Sequence, residues 1–456
     1  MTPPRIGRSP LTTPLAIAIA IAIPIAIAIA IAIPIVSACS HDAGDVTTLR
    51  VMAWAGPEER AIEGRILDRF HARHPEVRIE YESISSNYRE RLLTSIVAGS
   101  PPDVALLDNG SYGAAPFIAR DLLVNVAAYL DRIGVDTSAY YPEVLQIFRR
   151  PGGLYAFPKD FNPIVVYCNV DLFEAAAVPL PERNWTWADF LSVARRLTRD
   201  VNGDGRTDTY GTLVRRVFYL WQPWVWAAGG DVLSPDGRRA SGYLDSPQTE
   251  RAIRFLTDLV TVHEVVPSVD VQRQPTGMER NYFLTGRIGM VTSGHWWLPS
   301  IRRYIDEGKV RVAVLPLPRY DEDSEPVTVL YAAGWAVPHN TRHKKLAVEL
   351  AAHLSSTEAQ RMRAEYGLAI PSIRAVHEEL AARDPYGLEE AFLFAARHGR
   401  MSWGSTVEEW AQVEVQMPDI FDRVIFNGEP VHQVTTDIAE RIDAILATTS
   451  AQATRR

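Results

Sequence analysis

The alternation of apolar and polar positions over residues 48–54 predicts a strand. Gly56-Pro57 ends it. Ile62, Ile66 and Phe70 then recur every four residues and give one apolar face of a helix, which His74-Pro75-Glu76 closes. Residues 77–81 read as a second strand, and Leu92, Leu93, Ile96 and Val97 as the face of a second helix. After Pro101-Pro102-Asp103, residues 104–107 are a continuous apolar run, the pattern of a buried parallel strand. Strand, helix, strand, helix, strand predicts an α/β domain with a mostly parallel sheet. A second α/β stretch starts near residue 163, with helices over 187–198, introduced by Thr186, and over 249–263. The last third reads as mostly helical. Leu346, Ala347, Leu350, Ala351 and Leu354 share one face over 344–355, and a helix over 356–366 ends at Gly367, a residue suited to a left-handed cap. Residues 447–456 lack periodicity and read as a loose tail.

The N-terminus follows different rules. Residues 15–36 carry no charge, Arg5 and Arg8 precede them, and Ser37-Ala38-Cys39 follows. A basic start, an apolar run and small residues before a cut are the layout of an export signal. Val36-Ser37-Ala38-Cys39 resembles the lipobox of bacterial lipoproteins, which implies a signal peptide over 1–38, lipid attachment at Cys39 and a tether over 39–45. The alternative is an uncleaved membrane anchor, since 22 residues of this kind can span a bilayer. Either way the rest of the chain lies outside the cell membrane, anchored in the lipoprotein reading to its outer face. Cys168, in the apolar run 164–168, is the remaining thiol and reads as a core residue.

Composition narrows the function. Hydrophobic residues are 47% and charged residues 22% of 456, an ordinary globular balance. The mature part carries 45 basic and 55 acidic side chains, a net charge of -10, which argues against a nucleic-acid partner. Eleven tryptophans and seventeen tyrosines are the unusual counts.

Seven segments in order carry a resemblance: Phe70 to Pro75; Gly99 to Val104; Gly153 to Pro158 with Val166 to Phe173; Pro181 to Phe190; Phe283 to Met290 with Gly294-His295-Trp296; Gly334 to Val337; and Gly367 to Pro371. Together they resemble the extracellular solute-binding proteins of sugar-uptake ABC transporters, the class that includes maltose-binding protein. The resemblance implies two α/β lobes of the periplasmic-binding-protein type, joined by a multi-strand hinge. Lobe one would hold 46–158 plus 311–366, and lobe two 163–306 plus 372–446. It also implies a monomeric, non-enzymatic protein that captures a sugar, a neutral oligosaccharide, in the cleft and delivers it to membrane permease subunits, which work with a separate ATP-hydrolysing subunit.

Ligands of open α/β sheets sit outside the carboxyl ends of strands. That rule selects Trp54 and Glu58 with Glu59, Asp108 with Asn109, and Asp160 and Asn162. Flat aromatic faces suit the C–H faces of a sugar ring, which brings in Tyr219, Trp224, Trp296, Trp335 and Trp410. By resemblance, Trp296 matches the family's stacking position, Tyr219 and Trp410 match other aromatic positions, and Asp108 and Asn162 match hydrogen-bonding ones. Asn162 stands where maltose-binding protein has a carboxylate. Three alternatives compete: an anion clamped by Arg215-Arg216 or Arg374, a secreted glycoside hydrolase using a carboxylate pair, and a sugar sensor without transport. Asp200 to Asp208 resembles the start of a calcium loop, but Gly211 stands where the bidentate Glu belongs, and turn formation by Asn, Asp and Gly explains the segment without a metal. His339 and His343 are four apart without a third ligand in view, and zinc is not expected. No Walker loop, dinucleotide turn, GxSxG or HExxH is present, so no cofactor is expected.

Overall fold

In the computed structural model the described residues are 46–84, 86–110, 112–267 and 278–453, with Pro57, Glu58 and 449–453 described as backbone alone. The signal, Cys39 and the tether lie outside them. Twelve strands are present among the described residues: β1 (Thr47–Ala53), β2 (Val77–Ser83), β3 (Val104–Asp108), β4 (Arg149–Arg150), β5 (Gly153–Leu154), β6 (Ala156–Pro163), β7 (Val165–Asn169), β8 (Met290–Ser293), β9 (Val312–Pro316), β10 (Thr328–Ala336), β11 (Ile370–Pro371) and β12 (Gly399–Met401).

The first strand–helix–strand series forms as its pattern predicts. Helix α1 (Pro57–Arg73) buries Ile62, Ile66 and Phe70 and ends at His74. Each such side chain contributes about 1.5–3 kcal/mol by leaving water. Helix α2 (Tyr88–Val97) buries Tyr88, Leu92 and Ile96. Its expected face is narrower than predicted. Val97 is 77% exposed, because positions 88, 92 and 96 form the inward row and 97 sits one step past it. β3 is buried throughout.

The sheet is mixed rather than mostly parallel. Its order is β11-β6-β10-β3-β1-β2, with β12 also on β10. β1 pairs in parallel with β2 and β3, as the helical crossovers require. β10 runs antiparallel to both β3 and β6. A second sheet, β8-β7-β9, is antiparallel. β6 and β7 are separated by Ile164 alone, so one extended segment feeds both sheets. Thr328 clasps that junction: its Oγ1 accepts from Ile164 N at 3.0 Å and donates to Ile164 O at 2.8 Å.

Two apolar cores result. One lies on the large sheet and includes Val51, Leu106, Phe157 and Trp335, with Trp297 and Phe392 packed into the same cluster. The other gathers Val166, Cys168, Phe190, Trp224 and Ile438 around the helices Trp187–Leu197, Phe218–Ala227, Pro247–Thr261 and Val431–Ala453. Thr186 caps the first of these in a reciprocal capping box with Asp189. Cys168 is fully buried, and burial pushes its thiol well above the ordinary range. The last helix continues to Ala453, past the point where the sequence predicts a tail. Ile438, Ile442 and Leu446 anchor its inner face, and the helix propagates beyond them through alanines and polar residues.

Beneath the large sheet, Glu63 and Arg363 form a bidentate pair, 2.7 Å at both contacts, with side chains 0% and 2% exposed. Arg363 also donates to Leu354 O at 2.6 Å. The pair ties α1 to the Thr357–Glu365 helix. Removing one partner leaves the other charge buried. Glu63→Ala is therefore expected to cost about 3–5 kcal/mol in urea unfolding, and a Glu63→Leu/Arg363→Met double variant to recover most of the loss. A Glu63→Ala cost under about 1 kcal/mol would contradict the structural weight given to this pair.

Candidate functional site

The register of β10 assembles the site. Tyr331 stands opposite Asn162, and Ala333 opposite both Asp108 and Asp160. The pairing with β6 slips between Ala333 and Gly334, where Asp160 and Pro158 become successive partners and Lys159 is skipped. A bulge of this kind re-aims a side chain. The Lys159 ammonium donates to Glu59 Oε1 at 2.9 Å and Asp160 Oδ2 at 2.6 Å, and the residue is 5% exposed. Burial favours its neutral form, but the Asp160 and Glu59 carboxylates outweigh that and hold it charged.

A cavity of about 250 Å³ opens above these residues. It is lined by Trp54 and Glu59; by Asp108; by Lys159, Asp160 and Asn162; by Tyr219 and Trp296; by Tyr331 to Ala333; and by Leu368 and Ala369. Asp108 is the most constrained polar group. Its Oδ1 accepts from the backbone of Gly110 and Tyr112 at 2.8 and 3.0 Å, and its Oδ2 from the Tyr331 hydroxyl at 3.1 Å. Burial raises its pKa to about 6 in spite of those three donors. Asn109 locks the end of β3 to β10, donating to Leu330 O at 2.8 Å and accepting from Ala332 N at 2.9 Å. Asn162 Oδ1 accepts from Trp296 N at 3.2 Å, which ties the floor of the cavity to its aromatic wall.

That wall has two parts. Trp54 packs against Tyr88 and Tyr112, with ring centroids 5.0 and 4.8 Å away. Across the cavity, Tyr219 lies 5.5 Å from Trp296 and 5.3 Å from Tyr331. Two glycines make room for these rings. A Cβ at Gly294 would lie 2.2 Å from the Trp296 ring, and one at Gly110 would lie 1.6 Å from the Tyr331 hydroxyl. The Trp296 turn is also held from behind. His295, fully buried, meets Glu389 at 2.8 Å and packs on Phe392.

Seven of the twelve side chains singled out in the sequence thus meet at one cavity: Trp54, Glu59, Asp108, Asp160, Asn162, Tyr219 and Trp296. Glu58 stands in the first turn of α1, and its side chain is outside the described residues. Three tryptophans belong to the cores instead. Trp335, 0% exposed, sits opposite Leu106 and Phe157 inside the sheet. Trp224 is enclosed by Trp187, Phe190 and Phe255, and Trp410 packs on Phe218. Large aromatics bury well, and that outweighed their position near loops. Lys159 and Tyr331, which also line the cavity, were not among the residues chosen from the sequence. A Lys-Asp pair between the apolar residues 156–158 and Phe161 was the available signal for the first.

The arginines of the anion alternative are engaged elsewhere: Arg215 pairs with Glu279 at 2.7 Å, Arg216 with Asp422, and Arg374 donates to Ser138 O at 2.9 Å. In the 200–208 loop, Asp200 accepts from Gly203 N and Gly205 N at 2.7 and 2.8 Å, and Asp208 from Val201 N at 2.8 Å. These are turn-forming bonds. His339 Nδ1 lies 3.2 Å from Leu122 O. Among the described residues no group of three His, Cys, Asp or Glu is placed to hold a metal ion, and no helix is long and apolar enough to cross a membrane.

Comparison with known proteins places this arrangement. The family model for bacterial extracellular solute-binding proteins matches residues 55–361. Among curated proteins, an uncharacterised lipoprotein in the oleD 5' region of Streptomyces antibioticus is 31% identical over 180 residues, 38% of this chain and 38% of its own. An arabinooligosaccharide-binding protein of Halalkalibacterium halodurans is 23% identical over 214 residues, 46% of each chain. The chain therefore spans less than half the length of these curated relatives. Among solved structures, an ABC substrate-binding protein from Listeria monocytogenes in complex with cycloalternan superposes with a TM-score of 0.78 at 20% identity, over 88% of this chain and all of that one. The fold is thus the two-lobed α/β fold of the periplasmic binding proteins, and the chain belongs to the bacterial extracellular solute-binding protein family.

Proposed function

We propose that this protein captures a sugar in the cavity between β10 and the Trp296 turn and hands it to the permease subunits of an ABC importer. The single observation that carries the proposal is the convergence of aromatic faces and hydrogen-bonding side chains on one cavity: Trp54, Tyr219 and Trp296 around Asp108, Asp160 and Asn162. A sugar ring offers C–H faces to the first set and hydroxyls to the second. The lobes, drawn from 46–158 with 311–366 and from 163–306 with 372–446, would close on the ligand by bending at the β6–β7 segment. The role is binding and delivery without turnover. In this reading Cys39 carries the lipid that holds the monomer at the outer face of the membrane. The arabinooligosaccharide-binding relative and the cycloalternan-bound structure support a carbohydrate ligand of more than one ring.

Binding stabilises the folded form by mass action. In a thermal-shift panel of mono- and oligosaccharides, polyols, peptides and organic acids, sugars are expected to raise Tm. A shift with peptides or acids and none with sugars would contradict the proposal. Trp296→Ala is expected to weaken the sugar so identified by about 1–3 kcal/mol, measured by calorimetry. Unchanged affinity in a folded variant would remove Trp296 from the site.

Asp108 leaves a pH signature. Its pKa rises on folding from 3.8 to about 6, so the protonated form is the one the fold favours. Its stabilising contribution is fully present below the unfolded value and is lost as pH rises through about 6. Between about pH 4 and pH 7, the ligand-free wild type should therefore lose about 3 kcal/mol relative to Asp108→Asn, in urea unfolding of both. A difference that stays constant across that window would show that Asp108 titrates normally.

A further inference from the structure

The charge of the cavity is one-sided. Its ionisable lining is Glu59, Asp108 and Asp160 against Lys159 alone. Lys159 directs its ammonium to two of those carboxylates, so its charge is engaged within the floor. Around the aromatic wall, Glu279 and Glu414 act on Tyr219 together with Asp108, opposed by Arg215, which Glu279 itself holds. The hydrogen-bonding capacity is skewed the same way. Three carboxylates offer acceptors. Asn162 is 7% exposed, its Oδ1 takes the Trp296 N–H, and its Nδ2 donates to no partner among the described residues, which leaves that N–H group to the cavity. Tyr219, Trp296 and Tyr331 stand together on one side, and an aromatic face attracts a cation. Half-enclosed walls strengthen both effects relative to water.

We infer that the sugar this cavity prefers carries a protonated amine, so that an amino sugar with a free ammonium group binds ahead of its N-acetyl and unsubstituted parents. The inference rests on the sugar-capture reading of the same site and departs from the neutral ligand expected from the sequence. The ammonium group offers three N–H donors to an acceptor-rich floor, and its charge meets the carboxylate excess beside the ring faces. The remaining hydroxyls of the sugar satisfy Asn162 Nδ2, and its C–H faces lie on the aromatic rings. Acidic sugars are excluded by the same field.

The test is calorimetry at low salt and near-neutral pH with matched sets: glucosamine, N-acetylglucosamine and glucose; galactosamine, N-acetylgalactosamine and galactose; and short chitosan against chitin oligomers of equal length. Within a set, the free amine is expected to bind about tenfold tighter or better. Asp108→Asn should reduce that ratio towards unity, whatever it does to the affinity for the neutral member. Should that variant misfold, the wild type supplies the same test by pH. The titratable groups that interact with Asp108 are the hydroxyls of Tyr88, Tyr112, Tyr219 and Tyr331, all raised by burial and so constant through the acid range, with Glu414 acting on the last three. The ratio should fall as pH drops through about 6, where Asp108 takes up its proton and the amine stays charged. If neutral sugars bind and their amines bind equally or worse, the inference fails and sugar capture stands. If no member of any set binds while another sugar of the thermal-shift panel does, the inference fails and sugar capture stands; if no sugar of either panel binds, both fail.

Discussion

The site depends on one strand running the other way. β10 enters the sheet antiparallel between β3 and β6, and every cleft residue on the sheet side is set by its register. Tyr331 is brought against Asp108 and across from Asn162, and Ala333 keeps the space between Asp108 and Asp160 free of bulk. A slip of one residue would turn Tyr331 to the opposite face and dismantle the cavity. The bulge at Ala333/Gly334 is part of the same construction, because it frees Lys159 from the ladder and lets it reach Glu59 on α1. Thr328 holds the register at the start of the strand, and Asn109 at Leu330 and Ala332.

Buried charge runs through this framework in two linked layers. Glu63 and Arg363 join helices below the sheet, while Lys159 joins Glu59 and Asp160 at the floor of the cavity. The layers feel one another: Glu63 and Arg363 both act on Lys159. Such pairs are poor sources of net stability, since desolvation offsets their attraction. Their geometric effect is clearer. They fix where carboxylates stand, and they leave the cavity with acceptors in excess. The aromatic side is fixed by packing and by missing atoms, as at Gly294 and Gly110, where any Cβ would displace a ring.

The sequence made the regular part of this legible. Ile62, Ile66 and Phe70 announced α1, and the apolar run ending at Asp108 announced β3, because period and burial are local properties of the chain. The same rule about strand ends found Asp108 and Asn162. What escaped depends on contacts far apart in sequence. Tyr331 meets Asp108 across 223 positions, and Lys159 needs a bulge that no composition announces. Trp224, Trp335 and Trp410 show the opposite failure. A tryptophan count pointed to a binding surface, but three of the six aromatics chosen fill cores, because a large ring gains as much from enclosure as from a ligand. The order of the sheet was hidden for the same reason: nothing local tells β10 to run against β3.

The central claim is that the ligand sits where β10, β6 and the Trp296 turn meet. A crystal structure of the protein with a bound sugar tests this most directly. The account predicts ring density against Trp296, with hydroxyl or amine groups in hydrogen-bond reach of Asp108 and Asn162. Density instead in the surface groove beside Trp185 and Arg319, with the cavity between β10 and Trp296 unchanged, would contradict it.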